Sequence, residues 1–109
     1  MATPFPDVLP ETDTETRTRR QPPYAVVLHN DDVNGMEYVV SVLRKIFGYS
    51  VEKCVELMLE AHEKGKAAVW VGALEVAELK ADQIRSCGPD PQQKAKGAVT
   101  LGVSVEPAA

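Results

Sequence analysis

A single residue, Tyr49, separates the glycine that ends one amphipathic pattern from the serine that starts the next. Upstream of it, Met36, Val39, Val40, Leu43, Ile46 and Phe47 recur at helical spacing until Gly48 stops them. Downstream, Ser50 is a natural N-cap for a second stripe of Val51, Cys54, Val55, Met58 and His62, with Leu59 and Ala61 flanking and Gly65 at the end. Two helices joined so tightly must lie side by side and share one apolar surface, which needs a further layer to cover it. The flanking segments read as that layer. From Tyr24 to His29, Val26 and Leu28 alternate with Ala25, Val27 and His29, as in a strand. The run from Lys66 to Gly72 is a second strand, and Ala73 to Ser86 a third helix with Leu74, Ala77, Ala81 and Ile84 inward, stopped by Gly88 and Pro89. After the loop GPDPQQKAKG, Val99, Leu101, Val103 and Val105 alternate with small or polar residues as a last strand. The reading is one small α+β domain over residues 24–106, in the order β-α-α-β-α-β, with a three-stranded sheet covered by helices.

The first 23 residues hold five of the eight prolines and five threonines, without an apolar period. Such a segment buries too little surface to offset the entropy of ordering, so residues 1–23 read as a disordered arm and 107–109 as a tail. No charged n-region precedes an apolar stretch, and no run approaches the roughly 18 apolar residues of a membrane span. The expectation is a cytoplasmic protein. A net charge of -4 and a pI near 5.1 speak against a nucleic-acid binder, which needs a basic face. Cys54 and Cys87 lack metal or redox spacing and read as small helical residues. No cofactor is implied.

Asn30, Asp31 and Asp32 end the first strand abruptly, before an Asn34-Gly35-Met36-Glu37 segment with the spacing of a capping box, in which Asn34 would accept from the Glu37 N–H. Each of these residues has an ordinary explanation, since Asp and Asn turn strands into helices and complement helix N-termini. Together with His62 they have another. In a β-α-α hairpin the strand end approaches the face of the second helix, and His62 lies one turn beyond Met58. Amide, carboxylate and neutral imidazole are acceptors suited to a ligand rich in donors, such as a primary ammonium, and Met36, Val39, Met58 and Ala61 would line an apolar cavity beside it. Two carboxylates and an imidazole also match a metal triad, although adjacent aspartates in a turn seldom point at one ion. Catalysis lacks a nucleophile near His62, Cys54 lying two turns before it.

The segments VVLHNDDVNGMEYVVSVLRKIFGYS, CVELMLEAHEKGKA and EVAELKADQI, in this order and spacing, resemble the ClpS adaptors of the bacterial AAA+ proteases ClpAP and ClpCP. The resemblance runs from Tyr24 to Ile84 and resumes in the final strand. It implies a non-enzymatic adaptor that captures substrates beginning with Phe, Leu, Tyr or Trp and hands them to a ClpA- or ClpC-type unfoldase through that enzyme's N-terminal domain. Carried over by match, Asn30, Asp31, Asp32 and His62 would hold the α-amino group, with Asp32 in direct contact and Asp31 in support. Leu28, Asn34, Met36, Val39, Met58, Ala61 and Leu101 would line the side-chain pocket, and Glu75, Glu78 and Lys80 would dock on the unfoldase. No metal, nucleic acid or membrane enters this reading. The chain departs from the family in having Asn34-Gly35 for the usual Thr-Pro, Val69-Trp70 for a frequent Cys-Gly, and a longer loop before TLGVSVE. The competing class is the translation-factor-binding domain of the ribosomal stalk, of related fold, which presents a lysine-rich helical face.

Overall fold

The sheet has three strands, the first in sequence lying between the other two and antiparallel to both. In the computed structural model, which describes residues 22–108, the elements are β1 (Tyr24–His29), α1 (Met36–Phe47), α2 (Val51–Lys64), β2 (Lys66–Gly72), α3 (Leu74–Ser86) and β3 (Val103–Pro107), with one 3-10 turn at Lys94–Lys96. The expected β-α-α-β-α-β order is therefore found. The disordered arm expected over 1–23 falls, except for its last two residues, outside the described part. At the other end the sheet reaches past 106, since Pro107 pairs with Tyr24 and the Ala108 N–H donates to Pro23 O at 2.9 Å. Among the described residues no helix is long and apolar enough to cross a membrane.

The helices pack on one face of the sheet around Val26, Leu43, Cys54 and Ile84, each fully buried. Burial pushes the Cys54 thiol up, only partly offset by Arg44, so it stays a protonated core side chain. Gly48 and Gly65 end α1 and α2 in the left-handed conformation, at φ 72° and 91°, and Ser50 Oγ accepts from the Lys53 N–H at 3.1 Å.

Several sequence readings are corrected by tertiary context. Ala25 and Val27 do not alternate out to solvent. The Lys66–Glu106 ion pair at 3.4 Å joins the two edge strands and so must pass over β1, helping to cover its outer face. The α2 stripe is rotated, with Leu57 inward and Val51 and Leu59 exposed. Leu74, expected inward, is exposed because it is the first residue of α3 and only Ala77, Ala81 and Ile84 reach the core. The last strand begins at Val103 rather than Val99, and Val99 is 70% exposed, because the backbone there is committed to the loop. In β2 the register shifts so that Val69 has no partner opposite β1. That bulge lets consecutive Val69 and Trp70 both pack against the core, and the Trp70 ring closes over Gly72, where an added Cβ would clash with it.

The largest correction concerns Asn34. No capping box forms: the residue that caps α1 is Gly35, without a side-chain cap. Asn34 is instead buried, and its amide ties the strand-to-helix turn to the distant loop after α3. Its Oδ1 accepts from the Asp90 N–H at 2.7 Å, and its Nδ2 donates to Val99 O at 2.8 Å and to the Asp31 carboxylate. Asp90, also buried, returns the contact by accepting from the Gly35 N–H at 3.1 Å and the Gln92 N–H at 2.9 Å. A carboxylate 55 residues away thus serves the N-terminus of α1. Asp31 closes the turn from within, its Oδ1 accepting from the N–H groups of Val33 at 2.8 Å and Asn34 at 2.9 Å. Burial pushes the Asp31 carboxyl up, but the Asn34 N–H, the Asn34 amide and the Val33 N–H outweigh it and hold it below its ordinary value.

Two outcomes are expected. Asn34→Ala and Asp90→Ala should each destabilise the fold by about 1–3 kcal/mol, by orphaning buried partners, and the double variant should cost less than their sum; denaturant unfolding reads both. Because the folded carboxyl of Asp31 lies below the unfolded one, its contribution is present above about pH 4 and disappears as pH falls through the folded value. Unfolding free energy should therefore drop through that acid window in the wild type and less steeply in Asp31→Asn.

Candidate functional site

Two backbone hydrogen bonds converge on the end of β1. The His29 N–H donates to Gly102 O at 2.9 Å, holding the segment before β3 alongside, and the Asn30 N–H donates to Gly65 O at 2.9 Å, holding the end of α2. Gly65 follows His62 by three residues and bonds back to Ala61 O at 2.9 Å, so the last turn of α2 is fixed beside the polar turn. On the other side, Gly102 follows Leu101, which is buried. A cavity of about 340 Å³ opens between these pieces.

All the residues expected at the amine or in the side-chain pocket line this one cavity. Leu28 is its strand wall, Val39 and Met36 come from α1, Met58 and Ala61 from α2, and Leu101 from the segment before β3. Asn30, Asp31, Asp32 and His62 form the polar part. Leu28, Val39, Met58, Ala61 and Leu101 are buried, whereas Met36 is 54% exposed and so stands at the mouth.

The polar residues divide by their existing commitments. Asp31 is engaged with Val33 and Asn34 through both carboxylate oxygens. Asp32 is exposed and, among the described residues, accepts only from Asn30 Nδ2, at a long 3.4 Å, which leaves its carboxylate and Asn30 Oδ1 open to a further donor. His62 is exposed on the last turn of α2. Asn34 walls the cavity but both ends of its amide are already bonded, so it contributes shape rather than a free hydrogen-bonding group. Among the described residues no group of three or more His, Cys, Asp or Glu side chains is placed to hold a metal.

Sequence reasoning missed four lining residues, His29, Val33, Gly35 and Gln93. The first three are turn neighbours of residues already named. Gln93 comes from the loop after α3, and nothing local in sequence connects that loop to the site; the contacts of Asn34 and Gly35 with Asp90 and Val99 do. His29 turns its Nε2 to Ser104 Oγ at 2.8 Å, and Ser104 in turn donates to Glu106 at 2.9 Å, so that hydroxyl is directed at a carboxylate and is not activated by the imidazole.

The expected docking residues lie on α3. Glu75 and Glu78 are exposed, one turn apart, while Lys80 is half-buried and donates to Ile46 O at 3.2 Å, with its ammonium 5.6 Å from the centre of the Phe47 ring. The helix carries one lysine, not the lysine-rich face of the ribosomal-stalk class.

Similar proteins point one way. The family described as ATP-dependent Clp protease adaptor protein ClpS matches residues 19–95. The ATP-dependent Clp protease adapter protein ClpS of Pectobacterium carotovorum subsp. carotovorum (strain PC1) is 45% identical over 75 residues, covering 67% of this chain and 71% of its own length. The ClpS of Ruegeria sp. (strain TM1040) is 48% identical over 73 residues, covering 67% and 65%. Among solved structures, that of Agrobacterium tumefaciens ClpS2 bound to L-phenylalaninamide matches with a TM-score of 0.68 at 34% identity, over 79% of this chain and 96% of that one. With its β-α-α-β-α-β fold and a family match that spans most of its length, this chain belongs to the ClpS family of ATP-dependent Clp protease adaptors.

Proposed function

We propose that the chain is a non-enzymatic adaptor that captures proteins whose first residue is Phe, Leu, Tyr or Trp and delivers them to a Clp unfoldase-protease. The observation that carries this reading is a cavity with two chemistries. Asn30, Asp32 and His62 offer acceptors at one part, and an apolar chamber of Leu28, Val39, Met58, Ala61 and Leu101 adjoins it. An α-ammonium brings three donors and a charge, and a side chain one carbon away would enter the chamber. Asp31 supports the site by shaping the turn, as its engaged oxygens suggest. Asn34 and Met36 complete the pocket wall and mouth. The ClpS2 structure supports the ligand class, since L-phenylalaninamide carries both the free amine and the aromatic side chain.

Energetics favour moderate affinity. Burying about 150–250 Å² of aromatic surface contributes on the order of 4–6 kcal/mol. Charge-assisted hydrogen bonds add about 1.5–3 kcal/mol each, against an association cost of roughly 4–15 kcal/mol. A micromolar dissociation constant, about -8 kcal/mol, falls inside that balance. For delivery, Glu75, Glu78 and Lys80 would form the contact with the N-terminal domain of a ClpA- or ClpC-type unfoldase. Lys80 would act partly by fixing the end of α1 against α3, given its bond to Ile46 O.

The test compares a Phe-initiated peptide with its N-acetylated twin by calorimetry. The free peptide should bind near micromolar, and the blocked one should lose at least about a hundredfold, because acetylation removes the charge and most of the donors. Asp32→Ala and His62→Ala should each weaken the free peptide by about tenfold or more while barely changing the blocked one. Equal binding of the two peptides would remove the α-amine from the account.

A further inference from the structure

The pocket for the first side chain has a neighbour that amine capture does not use. A second groove, also about 340 Å³, runs between α1 and α2. Met36, Val40 and Arg44, four residues apart along α1, form one wall, and Val51, Val55 and Met58 the other. With Glu37 and Ser41 also in the lining, five of its eight residues are apolar, although the outward strips of a helix pair ordinarily carry polar residues. Met36 and Val51 are 54% and 44% exposed, and Val40 and Val55 are only half-buried, so the core leaves this apolar strip partly uncovered.

Continuity says what covers it. Met36 and Met58 line both cavities, so the groove begins at the mouth of the first pocket. We propose that it is a second subsite for the captured chain, taking an apolar side chain from the third residue of the substrate. This rests on the amine-anchored reading above. With the amine and first side chain fixed, the chain leaves past Met36 in an extended form. Alternate side chains of an extended chain face the same way, and each residue advances about 3.4 Å, so the third lies about 7 Å onward on the same side as the first. The α1 wall from Met36 to Arg44 spans about 12 Å at about 1.5 Å per residue, which places the third side chain beside Val40 and Val55. Arg44 puts a charge at the far end of the wall, so a short aliphatic side chain suits the space better than a run of them.

The experiment titrates the full chain by fluorescence anisotropy with three labelled peptides sharing one soluble tail and beginning Phe-Gly-Gly, Phe-Leu-Gly or Phe-Gly-Leu. Phe-Gly-Leu should bind roughly three- to tenfold tighter than Phe-Gly-Gly, as partial burial of one leucine dictates, and Phe-Leu-Gly should stay within about twofold. The gain should vanish in both Val51→Asp and Val40→Gln, which come from opposite walls and should leave Phe-Gly-Gly binding unchanged. An aspartate in the first turn of α2 suits the helix N-terminus, so the first variant keeps its fold. Equal binding of all three peptides, a gain confined to the second position, or a gain that survives both variants would overturn the subsite while leaving amine capture standing. Dimerisation through this face, abolished by Val51→Asp and indifferent to peptide, would also overturn it. Failure of Phe-Gly-Gly itself to bind the wild type would remove the amine reading and the subsite with it.

Discussion

The site is held in shape by one buried amide. Asn34 reaches Asp31 within its own turn and Asp90 and Val99 on a loop that follows four further elements. A buried carboxamide costs stability unless its donors and acceptor are met, and here they are met only when turn and loop are docked together. Folding the polar group correctly and forming the cavity wall are therefore one event. The loop's Gln93 and the neighbouring Leu101 take their places in the lining through that docking.

The same economy explains why three consecutive polar residues can do different things. Asp31 spends its carboxylate on the turn, where hydrogen bonds hold it ionised. Asn30 spends its backbone N–H on Gly65, and by doing so brings the end of α2 to the strand. Among the described residues, what remains open is most of the Asp32 carboxylate, the side-chain Oδ1 of Asn30 and His62, all at the surface beside an apolar chamber. A charged, donor-rich group attached directly to an apolar one satisfies both halves together, and a protein N-terminus with a bulky first residue has that form.

Much of this was legible in the chain because it is local or periodic. The stripes of α1 and α2, the glycine stops at Gly48 and Gly65, the central strand and the i to i+4 relation of Met58 and His62 need only neighbouring residues to be read. The family resemblance then supplied the roles that periodicity does not. What escaped was decided by partners far away. Asn34 looked like a local cap because Glu37 stands three residues on, but the Asp90 backbone and Val99 carbonyl won its side chain. Val69 and Trp70 defy alternation because a bulge re-aims them, and no residue type within β2 announces it. Val99 fits a period-two pattern by composition, yet its carbonyl is taken by Asn34 and its side chain faces water.

In the proposed complex the open polar groups hold an α-ammonium while the chamber holds the side chain next to it. A crystal structure of this chain with a Phe-initiated peptide tests that most directly. The peptide's α-nitrogen should lie within about 3 Å of Asn30 Oδ1 and an Asp32 oxygen and within reach of His62, with the phenyl ring between Leu28, Val39, Met58 and Leu101. A peptide bound with its α-nitrogen in solvent, or with its first side chain outside that chamber, would contradict it.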